Sequence, residues 1–203
     1  MSKKCIYALL IVMFGGMFGS VGCNVASDDT KIAQMQVERN EDIWGIHSDS
    51  PNGKYRAETT GEKEVGGRRY PNTMRVVDLQ TEKILWEDSA WLETTFLWSP
   101  DSKYLAIGYS GRNWSECNVL DAALWYVIPD LDIQTIQKLA DNLPDIYKSG
   151  ITKVTPIRWL ADNTILLGVY WDTIDGHALI GTVQYQVETQ KYHELEWELV
   201  SVG

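Results

Sequence analysis

Histidine and cysteine are scarce in this 203-residue chain, with three of each. His47 and His193 are isolated, neither standing three or four positions from another His or Cys, so a local zinc site has no support. Basic side chains are in the minority, 18 against 28 acidic ones, for a formal charge of −10. That sign argues against nucleic acid as a partner and against electrostatic docking on anionic lipid. A long apolar run is missing too. The one extended apolar segment, from Cys5 to Phe18, is broken by glycines and too short for a comfortable membrane span. Catalytic signatures are absent as well: Gly108-Tyr109-Ser110-Gly111-Arg112 misses the G-x-S-x-G spacing and reads as a strand-to-loop turn. The segment Asp172-Thr-Ile-Asp175-Gly176-His177 gathers two carboxylates and an imidazole. It lacks the acidic ladder and closing Glu of a calcium loop, and reads as a polar turn. No metal, cofactor or catalytic set is assigned, and the expectation is a protein that is not an enzyme.

What is present begins with Met1-Ser2-Lys3-Lys4, a positively charged start to the apolar segment, which closes on Ser20-Val21-Gly22-Cys23. This is the layout of a secretory signal. The closing motif resembles the lipobox of bacterial lipoproteins, with Ser20 standing where that family usually has Leu. The resemblance implies a signal peptide over residues 1–22 and a Cys23 that receives a diacylglyceryl group and becomes the new N-terminus. It also implies an exported protein, lipid-anchored to the outer face of the bacterial cell membrane or on the periplasmic side. A secretory signal cut elsewhere and an uncleaved anchor are the alternatives. Loss of residues 1–22 leaves 181 of the 203, enough for one domain, with 16 basic against 28 acidic side chains, a formal −12. Cys5 would leave with the signal and Cys23 would carry lipid, so Cys117 has no intrachain partner and the fold must stand on its core. Nine Trp and ten Tyr can supply that core. With no histidine near it in sequence, Cys117 reads as an inert thiol rather than a nucleophile.

Residues 23–40 are polar and without strand or helix period, a flexible tether leading to a domain over 41–203. That domain repeats itself. Thr94 to Trp98 enters a Ser99-Pro100-Asp101-Ser102 turn and returns as the alternating Tyr104 to Tyr109. The turn occurs earlier as Ser50-Pro51-Asn52-Gly53-Lys54-Tyr55. A third copy reads Trp159-Leu-Ala-Asp162, with Trp159 where Trp98 stood. Each copy is followed by a second hairpin, Met74 to Trp86 after the first and Val183 to Leu195 after the third, with Leu124 to Asp132 as the middle one. From Asp132 to Leu143 the apolar Ile133, Ile136, Leu139, Ala140 and Leu143 keep helical spacing, which favours a short helix over a further strand. Four-strand units with such turns resemble the blades of TolB-type and WD-repeat β-propellers. The resemblance implies a mostly-β fold of about three four-stranded antiparallel propeller-like blades, with an irregular β-sandwich as the alternative. Three is fewer than closed propellers carry, so the array is either open or closed by a second copy.

Propeller enzymes usually place their chemistry on a separate domain, such as an α/β-hydrolase, and no such domain fits here. Binding is therefore the expected mode of action. Trp98 and Trp159 recur at one repeat position, as core packing demands, whereas Trp91 and Trp114 lie in connections and are the tryptophans free to meet a ligand. In an antiparallel meander alternate connections emerge at the same end, which gathers the longest loops on one face. The candidate partner-binding set there is Arg68, Arg69, Tyr70, Arg112 and Trp114. Together these readings predict a lipid-anchored envelope binding or scaffold protein, with another envelope protein as partner. A carbohydrate or cell-wall binder and an enzyme of unrecognised type are the alternatives.

Overall fold

Apolar and polar residues alternate with a period of two through most of the domain, the pattern of strands with one face turned to a core. The computed structural model of the chain describes residues 45–128, 152–172 and 176–201, and every regular element among them is a β-strand. The expected signal peptide, Cys23, the tether and the helix from Asp132 lie outside these residues.

The strands form three successive antiparallel meanders. The first comprises β1 (His47–Asp49), β2 (Tyr55–Thr60), β5 (Thr73–Asp78) and β6 (Ile84–Ser89), hydrogen-bonded in that order. A small hairpin of β3 (Lys63–Val65) and β4 (Arg68–Tyr70) projects between β2 and β5. The second meander holds β7 (Glu93–Trp98), β8 (Tyr104–Ser110), β9 (Ser115–Asp121) and the short β10 (Tyr126–Val127). The third runs through β11 (Thr152–Ala161), β12 (Thr164–Asp172), β13 (His177–Gln186) and β14 (Lys191–Ser201). A parallel bridge between Lys153 and Ser115 joins the second and third meanders into one eight-stranded sheet. The fold is mostly β, and among the described residues the sheets stay open instead of closing into a ring, an arrangement that the irregular sandwich also fits.

Two cores separate the three meanders. Ala57, Met74, Val76, Phe96, Trp98, Leu105, Ile107 and Leu120 fill the first, between meanders one and two. Tyr104, Ala106, Cys117, Val119, Ile165, Leu167, Val169, Val183 and Tyr185 fill the second. Strand β8 serves both: Leu105 and Ile107 point into one core, and Tyr104 and Ala106 into the other. Its near-continuous apolar run, Tyr104 to Gly108, is thus explained by burial on both faces. Each aliphatic side chain so buried contributes about 1.5–3 kcal/mol. Burial also pushes the Cys117 thiol above its ordinary range, which keeps it protonated and unreactive.

The Ser-Pro turns superpose bond for bond. In the first, the Ser50 hydroxyl donates to Asn52 Oδ1 at 2.8 Å and accepts from the Tyr55 amide at 3.0 Å. In the second, Ser99 donates to Asp101 Oδ1 at 2.8 Å and accepts from Tyr104 at 2.9 Å. Both turns need a left-handed residue, supplied by Gly53 at φ 68° and by Ser102 at φ 63°. The third copy dispenses with this device: β11 continues to Ala161, and Asp162-Asn163 alone turn the chain into β12.

A staple repeats between meanders. Trp98 Nε1 donates to the Ser48 carbonyl at 3.0 Å, and Tyr55 stacks on the Trp98 ring, centroids 6.1 Å apart. One meander further on, Trp159 Nε1 donates to the Leu97 carbonyl at 2.9 Å, with Tyr104 stacked on Trp159, again at 6.1 Å. The expected equivalence of Trp98 and Trp159 is therefore seen in their partners. One boundary differs from expectation. The third strand of the middle meander is β9, Ser115 to Asp121, and the residues from Leu124 only complete the turn and the short β10. The polar look of Ser-Glu-Cys-Asn hid the strand, although Ser115, Cys117 and Val119 alternate inward.

Candidate binding face

The two ends of the meanders differ in character. One end carries the tight repeated turns at 50–54, 99–103 and 162–163. The other carries the β3–β4 hairpin, by far the longest insertion, together with residues 90–92 and 111–114. At this end Ser89, Glu93, Ser110 and Ser115 lie in adjacent register positions or connections, so the hairpin and the two loops share one rim.

An aromatic row is built along that rim. Trp91, 42 % exposed, meets Trp114 edge to face with centroids 4.9 Å apart. Trp114 in turn meets Tyr109 edge to face at 5.9 Å, and the Tyr109 hydroxyl donates to Glu116 Oε2 at 3.0 Å. Burial, with the nearby Glu116 carboxylate, pushes the Tyr109 phenol far up, so it remains a donor at all physiological pH values. Gly111 makes the row possible: a Cβ there would fall 2.4 Å from the Trp114 indole nitrogen. A backbone bond from the Gly111 amide to the Trp114 carbonyl, 3.0 Å, closes the loop beneath the ring.

The hairpin docks on this row through a lysine. Gly66 and Gly67, at φ 60° and 76°, form the two-residue turn that both positive angles require, and β3 and β4 extend from it. Lys63 is the register partner of Tyr70; its ammonium donates to the Ala90 carbonyl and lies 5.8 Å from the Trp91 ring centroid. Alternation along β4 puts Arg68 and Tyr70 on one side and Arg69 on the other, where Arg69 pairs with Glu62 at 3.0 Å. Both members of that pair are more than half exposed, so it adds little to stability. Arg112 is exposed in the loop that carries Trp114.

Of the five residues singled out from the sequence, Trp114 is at the centre of the row and Arg112 at its edge. Arg68, Arg69 and Tyr70 lie on the hairpin whose Lys63 meets Trp91, and Arg69 is turned to the side opposite Tyr70, where it pairs with Glu62. Trp91 had a sequence signal, its place in a connection; Lys63 had none. Near the same end Lys153 lies 5.2 Å from the Tyr170 ring centroid, and the Tyr170 hydroxyl donates to Asp172 Oδ1 at 2.5 Å. Burial and that carboxylate push the Tyr170 phenol up to about 12. Asp175 lies outside the described residues, and among those described no group of three His, Cys, Asp or Glu is placed to hold a metal.

No protein-family model and no curated protein matches the chain. Among solved structures it is similar to a complex of the fission yeast SREBP–SCAP binding domains, at 12% identity and TM-score 0.36, over 89% of this chain and 44% of that one. It is also similar to TolB from Acinetobacter baumannii, at 10% identity and TM-score 0.31, over 73% of this chain and 42% of that one. The chain spans less than half of either match.

Proposed function

We propose that this is a lipid-anchored envelope protein whose meanders serve as propeller-like blades and whose looped rim binds a protein partner without catalysis. The observation that carries the reading is the Trp91–Trp114 pair, a solvent-facing aromatic contact set on a rigid β scaffold by Gly111 and Lys63. Large aromatics flanked by Arg are the residue types that concentrate binding energy at interfaces. A cationic and aromatic rim on an otherwise acidic molecule also orients an incoming partner.

A photo-crosslinking residue in place of Arg112, in the full chain within the cells that make it, should yield a discrete protein adduct. Replacing Arg69 and Trp114 together by Ala should then weaken capture of that partner more than about tenfold, a larger loss than the accompanying fall in stability, with the domain still folded at the assay temperature. Equal loss of stability and capture would mark the rim as structural, and undiminished capture would place the interface elsewhere. The exposed ring of Trp91 also suits a sugar face, a second reading that predicts a shift of tryptophan fluorescence with glycans.

Anchoring rests on the Gly22-Cys23 motif, and two acyl chains provide the double signal that stable attachment needs, at about 0.8 kcal/mol per buried methylene. Cys23→Ala should abolish incorporation of labelled fatty acid and stop processing at this site. Unchanged labelling would sink the lipoprotein reading while leaving the rim to its own test.

A further inference from the structure

The register of the three meanders fixes which residues are equivalent. Asp49 pairs with Arg56 across β1 and β2, as Trp98 pairs with Leu105 and Trp159 with Ile165. Two positions further along, Glu58 corresponds to Ile107 and Leu167. In meanders two and three this face is what packs against the preceding meander: Leu105, Ile107, Ile165 and Leu167 are all completely buried. In meander one the same positions read Asp49, Arg56 and Glu58. Their charges are matched within the face. Arg56 Nε meets Asp49 Oδ1 at 2.7 Å, and Arg75 Nη2 meets Glu58 Oε1 at 2.7 Å. The side chains of the first pair keep 36% and 45% of their surface in water. Hydrogen bonding to Arg56 holds the Asp49 carboxyl below the usual carboxylate range.

The staple is broken at both ends of the array. Meander one has Asp49 where the donating Trp stands in its neighbours. Meander three has Thr164 where Tyr55 and Tyr104 stand, since Trp159 pairs with Ile165 as Trp98 pairs with Leu105, so that position offers no ring for a further Trp to stack on. We propose that the outer face of meander one is a terminal cap, built to stay in water, which stops a second copy of the chain from stacking on the array and closing or lengthening it. Such stacking would strip solvent from two ion pairs that are already satisfied and gain neither half of the staple. This goes beyond the binding reading and holds whatever the looped rim binds.

The test compares the full chain with a variant carrying the residues of meander two, Asp49→Trp with Arg56→Leu and Glu58→Ile. Light scattering in one detergent should give the wild-type chain a single mass across about a hundredfold range of concentration. The variant should associate, with a dissociation constant more than about tenfold lower than any shown by wild type. A folded variant with the mass of wild type overturns the proposal. Wild-type association that Asp49→Lys weakens overturns it too, because the face would then be a contact; association indifferent to Asp49→Lys uses another surface and agrees with a cap. Should the triple variant fail to fold, Asp49→Asn with Arg56→Gln keeps the shapes and removes the charges. It should shift toward association, and no shift counts against the cap.

Discussion

Truncating Trp98 to alanine should destabilise the domain by about 3–5 kcal/mol, the cost of removing a large buried aromatic. Three losses combine. The ring is 8% exposed and belongs to the first core; its indole N–H is bonded to the Ser48 carbonyl; and Tyr55 and Trp125 both lie against it, at centroid distances of 6.1 and 6.4 Å. Trp159→Ala removes the matching staple of the second core and should fall toward the lower end of that range, because Trp159 is only partly buried. Chemical denaturation of the two variants and wild type reads the effect directly. Two variants that unfold at the wild-type midpoint would mean that neither staple holds the meanders together. A Trp98→Phe variant, which keeps a ring and drops the donor, should recover more than half of the loss.

A second large effect is expected at Gly108, in β8 where the second and third meanders meet. A Cβ added there would lie 2.5 Å from Thr95 Oγ1 and 2.6 Å from Pro156 Cδ. Neither neighbour is the loose end of a long side chain. Thr95 sits in the paired β7, and the proline ring is fixed to the backbone of β11. Gly108→Val should therefore force β11 away from β8 and cost at least the 1–3 kcal/mol typical of overpacking, roughly the upper end or beyond. Gly168→Ala provides the control. The nearest atom to a Cβ at Gly168 is the terminal methyl of Ile157, 3.3 Å away, which can rotate aside. The first variant should melt many degrees below the second; equal melting temperatures would show that the seam between β8 and β11 is loose.

The parts of the structure legible in the sequence are those whose chemistry is local. The Ser50 and Ser99 turns could be read because their hydrogen bonds close within five residues. The repeat position of Trp98 and Trp159 could be read because each stands at a fixed distance from such a turn or from Asp162. Strand β9 is hidden for a local reason too: Glu116 and Asn118 alternate with Ser115, Cys117 and Val119, whose inward face is completed only by meander three. The rim was legible in part. Counting connections puts the loops at one end, and the connection tryptophans Trp91 and Trp114 stood out. What brings Trp91 to Trp114 is the stacking of one meander on the next, and what brings Lys63 to Trp91 is the fold of the β3–β4 hairpin over the Ala90 turn. Neither has a signature in neighbouring residues. The opposite facing of Arg69 and Tyr70 follows from a strand that the two glycines set up, and a loop reading could not give it.

The two indole bonds join residues 50 and 62 positions apart, whereas all but the β2–β5 pair of neighbouring antiparallel strands are joined by at most five residues. That difference sets an order in time. Loop closure is fast for near neighbours and slower for distant ones, so individual hairpins can form early while the inter-meander bonds wait for docking. The middle meander gains its full burial only after both neighbours have arrived, since β8 is apolar on both sides. Until then Leu105 and Ile107, or Tyr104 and Ala106, face water, and the half-assembled chain is at its most adhesive. A chain delivered from its N-terminus, by synthesis or by export, presents the first meander before the second, so one side of β8 can be covered as it emerges. The other side stays open until the strands that carry Ile165 to Tyr185 have followed.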